Sequence, residues 1–199
     1  MTTTFRGFLS GFGERRLSPA EHELAFKAWF ADSKVVDPAG KPLTVYHGSP
    51  YTFSVFQPEN LDVSVTWNAF GSWFAKSAGY ADKFTDDGGK VYEVYLSIRR
   101  PLKLRGDGAQ GFGKLVKLYE KATGLKTFEA TSESNAQFRE YLKRKGYDGV
   151  ILINFKGDTG LYPLPQDFYV VLDPRQVKSV QNIGTFDPRN PDIFHGVSK

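Results

Sequence analysis

Lys90-Val91-Tyr92-Glu93-Val94-Tyr95-Leu96-Ser97-Ile98 is the stretch on which the fold class turns. Tyr92, Val94, Leu96 and Ile98 fall on one side of an extended chain, and Val91, Glu93, Tyr95 and Ser97 on the other. The first set is the better core face, and Pro101 is expected to end the strand. Working outward, short strands and Gly/Pro turns recur. Residues 35–43 read as strand, tight turn at Asp37-Pro38-Ala39-Gly40, and strand; the second strand runs through Leu43-Thr44-Val45-Tyr46-His47 and closes in Gly48-Ser49-Pro50. Gly71-Ser72-Trp73-Phe74-Ala75 reads as another short strand, followed by a short helix over 76–84. Downstream, helical segments at 111–123 and 133–145 precede a turn at Gly146-Tyr147-Asp148-Gly149 and the strand Val150-Ile151-Leu152-Ile153. Phe168-Tyr169-Val170-Val171-Leu172 is almost wholly apolar and is expected to be central, with Pro174 closing it. Short strands broken by a few helices imply an α+β fold, because a doubly wound parallel sheet would alternate strand and helix.

The ends are simpler. Residues 1–16 contain three glycines and read as a flexible arm, leaving 17–199 as a single domain. Ser18-Pro19-Ala20-Glu21 is a helix start: serine caps, proline occupies the first helical position, and glutamate follows three after the cap. Leu24, Ala25, Trp29 and Phe30 continue an apolar stripe, and His22 is expected on the surface. The tail Asn182-Ile183-Gly184-Thr185-Phe186-Asp187-Pro188 carries turn chemistry and one aromatic peg, suited to lying across the domain.

Composition narrows the chemistry. The 199 residues are 40% hydrophobic and 24% charged, a globular balance that can bury one core. No cysteine is present, which excludes disulfides, a thiolate nucleophile and thiolate-held zinc. No His-Glu-x-x-His run, no Gly-x-Ser-x-Gly elbow and no lysine-bearing phosphate loop occurs, Gly11-Phe12-Gly13 being too short a likeness. No metal is therefore expected. Neither a membrane-spanning apolar run nor a secretory leader is expected, and the chain reads as cytoplasmic. The net charge of +4 is uneven: Arg99, Arg100, Lys103, Arg105, Lys114, Lys117, Lys121 and Lys126, then Lys143, Arg144 and Lys145, fall in one stretch. That pattern fits a solvated helical face, or steering of a phosphate-bearing partner. His47, at a strand end before glycine and serine, fits either a structural ring or one that meets a ligand where glycine permits close approach.

The segment Tyr46-His47-Gly48-Ser49 resembles the first motif of the His-Tyr-Glu group of ADP-ribosyltransferases. Gly71-Ser72-Trp73-Phe74-Ala75-Lys76-Ser77-Ala78-Gly79-Tyr80 resembles their second, which closes over nicotinamide, and Tyr169-Val170-Val171-Leu172-Asp173-Pro174 resembles the strand and turn of the third. Val91 to Leu96 and Gly184 to Ile193 are similar to versions in phage polyvalent proteins and phage-head-associated toxins. The resemblance implies a split β-sandwich with peripheral helices and NAD as substrate. It assigns His47 to the nicotinamide-side ribose, Gly48 to the nicotinamide amide through its backbone, and Ser49 to the same ribose. Trp73, Phe74, Ser77 and Tyr80 would line the nicotinamide pocket, with Tyr80 stacking on the ring. Two positions depart from the family pattern. Trp73 stands where the family has tyrosine, and Phe168 where it has the acid that aligns the ribose as positive charge develops. Asp167, one residue earlier, is the expected substitute if a bulge or loop turns it inward, and Glu93 is a second carboxylate.

The expected catalytic set is His47, Trp73 and Asp167. The implied activity is mono-ADP-ribosyl transfer, a glycosyl transfer from NAD to a protein or nucleic-acid acceptor, in a toxin or effector delivered into a host cytoplasm by a phage or bacterium. The alternatives are an NAD-like-ligand binding module without turnover and a phage structural protein reusing the fold.

Overall fold

Helix α1 (Pro19–Phe30) starts where the capping chemistry places it: the Ser18 hydroxyl accepts from Glu21 N, while the Glu21 carboxylate takes Ser18 N at 2.9 Å. The computed structural model describes residues 17–57, 70–86, 88–106, 111–126, 129–155 and 165–194. The arm at 1–16, most of the loop at 59–70, the Gly/Pro-rich segment after Phe155 and His195 lie outside the described residues. Leu24 does not join the apolar stripe. It is 67% exposed, and Phe26 takes its place against Trp29, Phe30 and Phe186. His22 is not a bare surface residue either, since its Nε2 lies 2.6 Å from Asn182 O and its ring meets Phe186 edge-on.

The strands are β1 (Val45–Ser49), β2 (Ser72–Ala75), β3 (Lys90–Leu96), β4 (Pro101–Arg105), β5 (Gly149–Phe155), β6 (Gln166–Val171) and β7 (Val177–Ser179). They form one open sheet in the order β4-β5-β6-β2-β1-β3-β7, with only the β4–β5 pair parallel. Helices α2 (Ala78–Ala81), α3 (Gly111–Thr123) and α4 (Ser132–Arg144) complete the α+β fold expected from the sequence. Pro101 starts a strand instead of ending the chain's extended run. The Asp148 carboxylate accepts from Arg99 N at 2.9 Å and Arg100 N at 2.7 Å, turning the chain there. Proline then sits first on an edge strand, where its missing N–H removes no ladder bond.

Each face of the sheet buries its own apolar layer. Tyr92, Val94, Leu96 and Ile98 lie with Val45, Phe74, Ile151, Tyr169 and Val171 on one face, as the alternation along β3 predicts. Val150, Leu152, Phe168 and Val170 lie on the other, beneath Leu115 and Tyr119 of α3 and Phe138 and Leu142 of α4. The C-terminal segment closes the first face. Ser179 N donates to Ile193 O, Ile193 N donates to Ser54 O at 2.8 Å, and Ile193 is fully buried.

Lys178 fastens that segment. It is wholly buried, and its Nζ donates to Asn190 O at 2.7 Å and Asp192 O at 2.9 Å. Burial pulls its pKa down to about 8, with the Asp187 and Asp192 charges opposing the shift. A neutral amine still has two hydrogens for the two carbonyls. Between pH 8 and the ordinary lysine range the unfolded chain binds the extra proton, so this group adds stability as pH rises through that window. Urea unfolding of wild type and Lys178→Met at pH 7.5, 8.5 and 9.5 checks this. The wild type should gain on the variant with each step; a constant difference would show that Lys178 titrates normally.

Candidate active site

Register places His47 in the middle of the sheet. It faces Tyr92 on β3, and the pairing of Tyr46 with Ala75 sets His47 opposite Phe74 on β2. Phe74 is paired with Tyr169 on β6, and Tyr169 with Ile151 on β5. One row of side chains, Tyr92-His47-Phe74-Tyr169-Ile151, therefore crosses five strands on one face, because directly opposed residues in antiparallel pairs share a face. The imidazole meets Phe74 at 5.6 Å between centroids and Phe56 edge-on at 5.0 Å, with Phe53 and Tyr92 just beyond 6 Å.

The His47 ring has a defined protonation state. Its Nδ1 lies 2.7 Å from Trp73 O, and a carbonyl only accepts, so Nδ1 carries the hydrogen. Burial depresses the pKa of the ring, against the pull of that hydrogen bond, so the ring is neutral near pH 7. Nε2 is left with a lone pair, an acceptor for a hydroxyl.

The loop carrying Phe53 and Phe56 is tied over this face by the Tyr92 hydroxyl, which accepts from Phe53 N at 2.7 Å and donates to Tyr51 O at 3.1 Å. The alternation along β3 marks Tyr92 as core, and a tyrosine at a core-facing strand position also signals a hydroxyl that needs partners. The Phe53 and Phe56 rings around His47 carried no periodic signal.

The other expected site residues divide between the faces. Phe74, 1% exposed, adjoins His47. Trp73, Ala75 and Tyr80 belong to the opposite layer, where Trp73 meets Phe70 at 5.7 Å. The Tyr80 ring packs on Phe168 at 5.1 Å and on Phe84 at 5.3 Å. Ser77 caps α2 by accepting from Tyr80 N at 3.3 Å, and its own N–H donates to Gln166 Oε1. Ser49 is buried and accepts from Tyr51 N at 3.1 Å. Gly48 faces the end of α2 on the side of the sheet away from His47: a Cβ there would lie 1.7 Å from Ala81 O. Only glycine lets the end of α2 rest on β1.

Asp167 lies within β6, two residues before Tyr169, so strand alternation turns it to the His47 face and Phe168 away. No bulge in β6 is needed for this. The irregularity is in β5, between Leu152 and Phe155, where Asn154 at φ +60° aims its N–H at Asp167 Oδ1 over 3.0 Å. Burial, and then the neighbouring Asp167 charge, hold the Tyr169 hydroxyl protonated far above its ordinary range. His47 and Asp167 are separated by two strand spacings across the sheet and two residues along it, about 12 Å between backbones. Glu93 pairs with Tyr46 and is exposed on the face opposite His47. Among the described residues no group of three or more His, Asp or Glu is arranged to hold a metal ion, and no helix is long and apolar enough to cross a membrane.

The contact at Gly48 is directly testable. Gly48→Ala should lower stability by about 1–3 kcal/mol, several degrees in melting temperature, with faster amide exchange in α2. Wild-type melting and exchange would mean that α2 does not rest on this glycine.

No curated protein matches the chain. Among solved structures, a crystal structure of an anti-CRISPR protein is similar at 11% identity and a TM-score of 0.35, covering 67% of this chain and 90% of that one. Residues 37–186 match the family described as ADP-ribosyltransferase in polyvalent proteins, a span that holds β1, β2, β6 and every residue of the candidate site. The chain belongs to this ADP-ribosyltransferase family.

Proposed function

We propose that the protein is a mono-ADP-ribosyltransferase that cleaves NAD and passes ADP-ribose to a macromolecular acceptor, a protein side chain or a nucleic acid. The observation that carries this reading is the family match over 37–186, which spans His47, Gly48, the β2–α2 segment and Asp167. In this reading His47 takes the part that the His-Tyr-Glu type of site gives its histidine. The Nε2 lone pair of neutral His47 accepts from a hydroxyl of the nicotinamide-side ribose, which orients that sugar. Gly48 offers backbone groups to the carboxamide, with Ser49 near the ribose. Of the aromatic and hydroxyl wall that the family places around nicotinamide, Phe74 lies on the face of His47, while Trp73 and Tyr80 pack in the opposite layer and Ser77 caps α2.

The reaction breaks the bond between nicotinamide N1 and ribose C1′, the electron pair leaving with nicotinamide. C1′ then bonds to the acceptor's nucleophilic atom, whose proton passes to solvent. Positive charge builds on the ribose before the new bond forms, and a carboxylate lowers that barrier. Asp167 fills this role in our reading, because strand alternation turns it to the face of His47 and Asn154 N holds one of its oxygens. The function suits an effector associated with a phage and acting in a host cytoplasm.

A second reading has its own support. Phe168, at the position of the family's acid, packs on Tyr80, so an NAD-binding module without turnover would have this same contact.

Nicotinamide release from NAD by the purified protein, with cell lysate as acceptor source, separates the two. Wild type should release nicotinamide, with His47→Ala and Asp167→Asn each at least ~100-fold slower and Asp167→Asn still binding NAD. NAD binding without release in wild type would establish the module. Undiminished release by Asp167→Asn would remove this carboxylate from the mechanism.

A further inference from the structure

The sequence concentrates positive charge in residues 99–148, which hold twelve basic and six acidic side chains. That segment is +6 within a chain of +4, so the remainder is net negative. Topology gathers it at one end of the molecule. β4 is an edge of the sheet, paired only with β5, and Lys103 and Arg105 are exposed along it. α3 packs on β4, β5 and α4, and leaves Lys114, Lys117 and Lys121 in solvent. α4 ends in exposed Lys143, Arg144 and Lys145.

The C-terminal end of α4 borders a cleft of about 600 Å³, lined in part by Arg99, Arg100, Lys143, Arg175 and Tyr147. Its acids, Asp32, Asp148 and Asp173, are engaged locally. Asp148 accepts the Arg99 and Arg100 backbone N–H groups, Asp173 holds Arg175, and Asp32 lies 3.6 Å from Arg99 Nε. The Arg175–Asp173 and Arg99–Asp32 pairs keep two cations in place. The Arg100 guanidinium has no hydrogen bond or ion pair to the described residues.

We propose that this edge binds single-stranded nucleic acid, with one nucleotide in the cleft and the adjoining phosphates on Arg100 and the cations of β4 and α4. Charge complementarity selects a polyanion, because the basic groups outnumber the acids two to one in this segment and are outnumbered elsewhere. The cleft selects a single strand, since its volume suits one nucleotide and admits no duplex. Tyr147, partly exposed at its wall, offers a ring on which a base can stack. The inference is independent of NAD cleavage, because binding is read without NAD.

Fluorescence anisotropy with a labelled single-stranded oligonucleotide tests it on the full chain across a salt series. Affinity should fall linearly in log–log form with salt. Arg100→Glu combined with Lys143→Glu should weaken binding at least ~10-fold and flatten the salt slope by about 1.4. The milder pair Arg100→Gln with Lys145→Gln should give a smaller loss, and Lys41→Glu, outside the segment, should leave binding near wild type. Circular dichroism and melting of each variant keep a folding defect distinct from a binding defect. The proposal is overturned by no binding at low salt, by equal weakening from Lys41→Glu, by tighter binding of duplex, or by poly-glutamate competing as well as the oligonucleotide.

Discussion

The register of β1 between β2 and β3 is the constraint on which the rest depends. Because side chains alternate strictly along a strand, a slip of one residue would exchange the faces of the whole segment. In the observed register His47 enters the row that runs from Tyr92 to Ile151, and Gly48 turns to the opposite face, beneath α2. One residue supplies an imidazole with a defined tautomer. The next supplies the absence of a side chain. Neither would work in the other's place, since a Cβ at position 48 meets the Ala81 carbonyl and a glycine at position 47 would leave Phe56 and Phe74 facing a void.

Parts distant in sequence stabilise that arrangement. Buried Lys178 holds the backbone carbonyls of Asn190 and Asp192, and the adjoining residue Ile193 donates its N–H to Ser54. Ser54 belongs to the loop whose Phe53 and Phe56 rings stand against His47, and the Tyr92 hydroxyl secures the same loop from below. The chain's end thus braces the segment that covers the candidate site. The wet, charged end of the molecule lies elsewhere, around β4, α3 and α4, so the sheet carries an aromatic site near its middle and a basic edge beside it.

Much of this was legible in the sequence, and the gaps have physical causes. The alternation along β3, the cap at Ser18, the two long helices and the peg at Phe186 follow from local rules, and they are found where those rules put them. The role of Pro101 was not local, because it depends on Asp148 forty-odd residues away taking two backbone N–H groups. Leu24 fits a helical stripe by spacing, but α1 is short and offers only a narrow buried face, which Phe26 and Trp29 fill. For the site, the motif order marked His47, Gly48 and the β2–α2 segment. Which residues share a face with His47 required the pairing of strands 27 and 122 residues apart in the chain, as with Phe74 and Tyr169. Alternation along β6 orients Asp167 once that strand includes it, but the N–H that Asn154 gives to its carboxylate depends on an irregularity in the neighbouring strand β5, invisible from β6 itself.

The central claim is that this register presents a neutral His47, protonated at Nδ1, with Nε2 free to accept from the ribose of NAD. Long-range proton–nitrogen NMR of the imidazoles reads that directly. At pH 7 the account predicts a His47 signal with the hydrogen on Nδ1, and an upfield move of the unprotonated Nε2 resonance as NAD is added. A His47 ring that is doubly protonated, that carries its hydrogen on Nε2, or that is unmoved at saturating NAD would contradict it.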